Sequence, residues 1–334
     1  MPLLGKYFAG RPSDESATWG ADVYRPSTTS SVALAEDNQG LLGSALSFEE
    51  RKDHRGTRYC SSVECTGSRM MPWRNRRRPI FEGQWGCSGR CVLSMVRGAV
   101  RREENTGAAS GAAEPHRHRV PLGLVMLAQG WITHPQLRQA LEAQRERGGR
   151  IGERLISECG IEQEQITRGL SVQWNCPVLA SAGFHPQSMA LVMPRELVEE
   201  FEVLPLRVAG SHILYLASEG QLRPALALAL EQMTDLKVES GLMNGEELRS
   251  AREKLLASAF VTTRSEEISD IDALTARITA LVEHKQPVNS RLVRVGHQFW
   301  LRFWLENGSL SSSGTVPLST EDMEDYLFRI GGAA

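Results

Sequence analysis

"PLGLVMLAQGWITHPQLRQALEAQ", residues 121–144, is followed at residues 150–173 by "RIGERLISECGIEQEQITRGLSVQ". Laid over one another, the two stretches keep apolar residues, a glycine and a closing glutamine at the same places. Leu122 and Gly123 fall on Ile151 and Gly152, and Gln144 falls on Gln173. In the first stretch Leu122, Met126, Leu137 and Leu141 recur at helical spacing, and the break at "GWITHP" puts a turn between two short helices. Thr133 followed three residues on by Gln136 is a capping-box pattern, and Pro135 is tolerated in a first helical turn, where its missing N–H has no partner to lose. The second stretch repeats the plan with Ile151, Leu155, Ile166 and Leu170, although Glu162 is a poorer cap than Thr133. The expected structure is a duplicated helix-turn-helix hairpin whose units pack apolar faces on one another, as neighbouring repeats do.

Beyond the repeat the pattern changes. "PRELVEEF" (194–201) reads as a helix, "VLPLRV" (203–208) and "HILYLAS" (212–218) as strands joined by a turn, "LRPALALALEQMT" (222–234) as a helix and "LKVESGL" (236–242) as a strand. In the tail, residues 268–288 have a helical period, residues 290–308 alternate as two strands around Gly296, and "STEDMEDYLFRI" (319–330) reads as a capped acidic helix. The aromatics Phe299, Trp300, Phe303 and Trp304 are expected to pack against the preceding helix. The fold class is α+β and multidomain: tandem helical hairpins followed by a small α+β unit and preceded by a small zinc-finger-like module.

The 334 residues, 41% hydrophobic, suffice for two or three domains. Residues 1–48 mix Ser, Thr, Gly, Pro and Asp with few periodic apolar positions and are expected to be a mostly disordered lead. Residues 49–101 form the cysteine-bearing basic module, 102–120 a linker rich in small and polar residues, 121–256 the repeat with its α+β unit, and 257–334 a small α+β tail. No run approaches the roughly 18 to 20 apolar residues of a membrane span, and the first residues lack the phases of a signal peptide. A cytoplasmic protein without membrane insertion is expected.

Four of the six cysteines fall in "YCSSVECTGSRMMPWRNRRRPIFEGQWGCSGRCVLSMVRGAV" (59–100). Cys60 with Cys65 and Cys87 with Cys91 make two close pairs, the plan of a four-thiolate zinc site in which two knuckles meet. The second pair, "CSGRC" opening an apolar helix, resembles small treble-clef or knuckle zinc fingers. The first pair is wider than the usual spacing. Cys159 and Cys176 stand alone in apolar surroundings and read as buried structural residues. His116 and His118 lie in the expected linker. From Arg51 to Arg102 there are 13 Lys or Arg against 3 Asp or Glu. Arg74 and Arg76 to Arg78 beside Trp73, with Arg97, Arg101 and Arg102, form a candidate phosphate-binding face, although a basic run is more often a solvated surface. Nucleic-acid binding is therefore kept open but not favoured.

The tandem pattern, apolar-Gly-x-x-apolar, a turn glycine, then apolar-x-x-x-Leu-x-x-Gln, resembles the N-terminal domain of type II secretion and type IV pilus assembly ATPases over roughly residues 121–248. In some members of that family the motif binds cyclic di-GMP, each copy holding one half of the two-fold ligand. Carried onto this chain, the resemblance implies Leu122, Gly123, Leu137, Leu141 and Gln144 in the first copy and Arg150, Ile151, Gly152, Leu155, Ile166, Leu170 and Gln173 in the second as nucleotide-contacting residues. The chain departs from the pattern at Pro121, where the family has arginine, at Cys159, where it has the turn glycine, and in "YLASEGQ", which lacks the usual Asp-Pro. The same leucines and glycines also read as helix core and helix caps. No stretch reads G-x-x-x-x-G-K-[ST], so the cradle for a triphosphate is missing and the chain is expected to be no enzyme. The expected function is a regulatory or docking protein related to secretion or pilus machinery that binds a protein partner. The alternatives are a cyclic di-GMP receptor and a zinc-dependent nucleic-acid-binding adaptor.

Overall fold

Every residue of the strand Gln298–Trp304 is buried, and one of them is an arginine. This strand organises the computed structural model, which describes residues 60–66, 79–110, 120–210, 212–305, 320 and 322–331. The expected lead 1–48, the basic run at Trp73 to Arg78, and His116, His118 and Arg119 lie outside the described residues.

In chain order, a hairpin of β1 (Ile80–Phe81) and β2 (Gln84–Trp85) leads into α1 (Gly89–Ser110). The repeat folds as α2 (Leu122–Ala128), α3 (His134–Arg147), α4 (Ile151–Cys159) and α5 (Gln163–Trp174). Next come α6 (Pro186–Met189), α7 (Arg195–Phe201), β3 (Leu204–Ala209), β4 (Ile213–Ser218), α8 (Pro224–Thr234), β5 (Lys237–Leu242) and α9 (Gly245–Leu256). The chain closes with β6 (Thr262–Ile268), α10 (Ile271–Lys285), β7 (Asn289–Val295), β8 (Gln298–Trp304) and β9 (Met323–Ile330). No helix among the described residues is long and apolar enough to cross a membrane.

Two sheets share the work of burial. β3 and β4 form an antiparallel hairpin, and β5 joins β4 in parallel after the α8 crossover. The second sheet has the order β6-β9-β8-β7, parallel between β6 and β9 and antiparallel elsewhere. Because side chains alternate along a strand, this sheet offers two apolar faces. Trp300, Trp304, Val293, Val295, Met323 and Leu327 face a core shared with β3, β4, α7 and α8. Phe299, Leu301, Phe303, Leu292, Tyr326 and Phe328 face a second core built with Val92, Val96 and Val100 of α1 and Leu274, Ile278 and Val282 of α10.

Three sequence expectations change here. Residues 323–330 are a central strand rather than an acidic helix, because "MEDYLFRI" carries apolar residues on both faces and pairs on both sides, with β6 and β8. α1 runs through Ser110, into the stretch expected as linker, and its Glu103 is buried, accepting hydrogen bonds from Arg102 Nε and from the backbone N–H of Arg294. The cysteine-bearing segment and the tail, expected as separate pieces, therefore share one core. The four tail aromatics do not all pack on the preceding helix: Phe299 and Phe303 do, while Trp300 and Trp304 fill the opposite face.

On that opposite face Arg302 and Asp325 stand directly across from one another on β8 and β9. Arg302 Nε and Nη2 donate to the two carboxylate oxygens at 2.8 and 2.7 Å, its Nη1 donates to the carbonyls of Leu191 and Val192, and Trp300 Nε1 donates to Asp325 Oδ1. Both charges are almost wholly out of water. Asp325→Ala, which leaves the guanidinium buried without its counter-charge, is expected to lower the free energy of unfolding by about 3–5 kcal/mol. Arg329→Ala, at a surface ion pair with Glu200, should change it by less than about 1 kcal/mol. Urea denaturation of the two variants checks both.

Candidate functional site

The duplicated helices fold as the caps foretell. Thr133 caps α3 with a full capping box, its own N–H donating to Gln136 Oε1 at 2.9 Å, whereas Glu162 makes no side-chain cap on α5. Ile132 and Ile161, which correspond between copies, are both buried in the small core of the unit with Leu122, Met126, Leu155 and Ile166. In the first copy the left-handed turn falls on Gly130. In the second, α4 runs on through Cys159 and Gly160 takes the left-handed position. The displaced glycine keeps the turn, and Cys159 Sγ donates to the carbonyl of Gln136.

The twelve residues singled out for nucleotide contact separate into three groups. Leu122, Gly123, Gly152, Leu155 and Ile166 are buried. A methyl group on Gly123 would fall 2.5 Å from Leu137 Cδ1, and one on the corresponding Gly152 would fall 3.0 Å from Ile166 Cγ2. Each glycine thus lets the first helix of its copy seat a side chain of the second. Leu137, Ile151 and Leu170 are half-buried, and Leu141 is exposed. The third group is polar. Gln144 Nε2 donates to the carbonyl of Gly149 at 2.9 Å, and Gln173 Nε2 donates to the carbonyl of Val120 at 2.7 Å. Each acceptor lies immediately before the start of the other copy, so the closing glutamine of each unit holds the entrance of its twin. Arg150 caps α4 through its backbone N–H, which donates to Glu153 Oε2, and its exposed guanidinium makes no hydrogen bond or ion pair among the described residues.

Missed in the sequence was the apolar surface of the same unit. Val120, Leu124 and Val172 are 57%, 49% and 52% exposed, and Leu141 is 40% exposed. The carbonyl of Val120 is held by the Gln173 side chain, Val172 precedes that glutamine in α5, and Leu124 is one turn on from Pro121. Surface leucines and valines carry no signal of their own in a sequence.

The second candidate is the cysteine cluster. Cys60, Cys65, Cys87 and Cys91 bring their Sγ atoms within 4.8 Å of one another, with Cys65 to Cys87 at 3.5 Å and Cys87 to Cys91 at 3.6 Å. A tetrahedral ion with metal–sulfur bonds of about 2.3 Å sets sulfurs about 3.8 Å apart, so the donor set fits a four-thiolate metal site. The wide first pair is no obstacle, since a turn at Val63 and Glu64 folds it back. Burial pushes the Cys60 thiol up, and this is only partly offset by the backbone N–H groups of Cys87, at 3.4 Å, and Ser62, which donate to its Sγ. Without a cation the sulfurs oppose one another: burial and the neighbouring sulfurs push Cys87 up to about 12, while for Cys91 burial is outweighed by the Ser88 hydroxyl and the other thiols, which bring it down to about 7. The cluster can hold a metal ion.

Two arginines of the expected phosphate-binding face point elsewhere. Arg102 forks onto both carboxylate oxygens of Glu82 and also meets Glu103, and Arg97 lies 4.0 Å from Asp272.

No family model matches the chain. The type IV pilus assembly ATPase PilB of Myxococcus xanthus is 28% identical to it over 141 residues, 41% of this chain and 24% of PilB, so the chain spans only that share of its relative's length. Two solved structures are also similar. That of MshE with cdg is 24% identical, with a TM-score of 0.34 over 41% of this chain and 99% of that one. That of the N-terminal domain of XpsE is 13% identical, with a TM-score of 0.29 over 40% and 92%. At those scores the structural overlap adds nothing to the sequence relation. The likeness to pilus assembly ATPases that the repeat points to is found in the sequence match to PilB.

The reciprocal glutamines give a directional expectation. Gln173→Ala should speed amide exchange at the start of α2, and Gln144→Ala at the start of α4, each loss being worth about 0.5–1.5 kcal/mol. Hydrogen-exchange mass spectrometry of the two variants reads this out, and exchange raised only at the mutated helix end would contradict the cross-copy arrangement.

Proposed function

We propose that the chain is a non-catalytic docking or regulatory protein of a type II secretion or type IV pilus machine, and that its tandem helices bind a protein partner of that machine in the cytoplasm. The observation that supports it most directly is the exposure of three apolar side chains, Val120, Leu124 and Val172, on helices of the repeat or next to them, in a chain similar in sequence to a pilus assembly ATPase. Apolar residues left exposed on a folded surface suit protein association where they form a patch. No stretch of the sequence supplies a phosphate cradle, and in this reading ATP chemistry belongs to the partner. The cysteine cluster is a zinc site in the same reading. Four thiolates close the tetrahedron and leave no open position, which suits a structural ion and not a catalytic one.

A second reading, a cyclic di-GMP receptor, is favoured by one observation: the exposed guanidinium of Arg150, without a partner among the described residues, beside a duplicated motif. Against it stands Pro121, which offers no donor at the matching place. Nucleic-acid binding has less support, because Arg97 and Arg102 face carboxylates.

The test is direct. Leu124→Glu with Val172→Glu should abolish co-purification with the secretion or pilus ATPase of the same cell while leaving the far-ultraviolet circular dichroism unchanged. Calorimetry with cyclic di-GMP should show no binding at high micromolar ligand. Pro121→Arg should create or strengthen binding if the site is a relic of the nucleotide motif, by roughly ten to over a hundredfold for one charge-assisted contact. Tight binding by the native chain, weakened by Arg150→Ala, would replace docking by the receptor reading.

A further inference from the structure

We propose that the ion held by Cys60, Cys65, Cys87 and Cys91 is a Zn²⁺ that clamps α1 and the β1–β2 hairpin onto the C-terminal sheet, so that the metal maintains a core assembled from two distant parts of the chain. The proposal rests on the zinc reading above and adds to it where the site's stabilisation goes.

The elements around the cysteines have little structure of their own. Residues 60–66 make one turn, and their backbone is tied to the hairpin by the Ser61 N–H to Trp85 carbonyl bond at 2.9 Å. The hairpin has two residues in each strand, too few to persist alone in water. Its ties lead away from the cysteines and into the sheet. Phe81 is 2% exposed and belongs to the core of α1, α10 and β7 to β9. The backbone N–H of Glu82 donates to Ser290 Oγ at 3.0 Å, and the Glu82 carboxylate accepts from the backbone N–H of Leu292 at 3.2 Å. Arg102 of α1 locks the same carboxylate from the other side.

The second cysteine pair is just as closely fitted to the tail. Gly89, between Cys87 and Cys91, lies beside α10, where a methyl group would meet Oε1 at the movable end of the exposed Glu283 side chain. Gly86, next to Cys87, meets Val92 Cγ2 at 2.8 Å in the same sense, and Val92 is wholly buried in the shared core. The four sulfurs therefore join a loop, a hairpin and a helix N-terminus, and two of those three pieces cover one face of the C-terminal sheet. In such sites metal-binding free energy is folding free energy. A detachable finger would keep that free energy to itself, but here it passes through Phe81, Glu82 and Val92 into β7 and α10.

The experiment uses the full chain expressed with ample zinc. Elemental analysis should find one zinc per chain and no iron. Hydrogen exchange, followed before and after stripping with a strong chelator, should then accelerate by at least about tenfold in α10 and β7, with α2 to α5 unchanged. Cys91→Ser should reproduce the pattern, and chelation of the native chain gives the same reading if that variant does not fold. Absence of metal, or iron in its place, overturns the zinc reading itself. Zinc present, with exchange altered only in residues 60–66 and 79–91, would leave the site a zinc site and overturn the clamp.

Discussion

A guanidinium and a carboxylate cannot be taken out of water unless each finds the other, and Arg302 and Asp325 are both out of water. Their pairing fixes more than their own positions. They face one another across β8 and β9, so a slip of one residue in that register would turn over one strand and carry one charge, parted from the other, to the side of Phe299, Phe303 and Tyr326. The remaining donor of Arg302 reaches the carbonyls of Leu191 and Val192, binding the sheet to the segment between α6 and α7. One polar group thus sets strand register and the seating of the sheet on its neighbour. Replacement of such a pair by well-packed apolar residues is often neutral in energy, but the register would lose its specification.

With the sheet fixed, its other face needs a cover, and the chain supplies it from far upstream. α1 and α10 lie together on that face, although the repeat and the β3–β5 unit intervene between them in sequence. The entropy of closing so long a loop grows only with the logarithm of its length, so the separation itself is a modest burden. The harder problem is that β1, β2 and residues 60–66 are too small to hold their shape. Four converging sulfurs answer that need at the place where it arises.

How much of this could be read from the sequence depends on how local the signal is. The repeat was legible because its caps, turns and apolar spacing act within a few residues, and Thr133 with Gln136 is such a case. The cysteine pairs were legible from spacing, although their convergence needed the turn at Val63 and Glu64. The strand at 323–330 was not legible, because "STED" before it mimics a helix cap and only pairing with β6 and β8, remote in sequence, decides for a strand. The reach of α1 through "TGAAS" was hidden for a similar reason: small residues read as linker, and Glu103 is tied to Arg294, 191 residues away. At the candidate site, spacing placed the apolar residues on the right helices but could not tell which face each would turn, so five of them belong to the core.

That last distinction bears on what the repeat can do. A ligand recruiting the two glutamine amides must first displace them from Gly149 and Val120, at about 0.5–1.5 kcal/mol each, a penalty that new bonds of the same kind would largely return. Displacement therefore does not decide between a nucleotide and a protein partner. In the proposed reading the absent arginine weighs more, because a charge-assisted contact is worth about 1.5–3 kcal/mol and Pro121 offers no donor to match Arg150. An apolar partner needs neither cation, and it gains roughly 25 cal/mol for each Å² of Val120, Leu124 and Val172 that it covers. On this chemistry, protein association is the proposed use of the repeat and nucleotide binding the alternative.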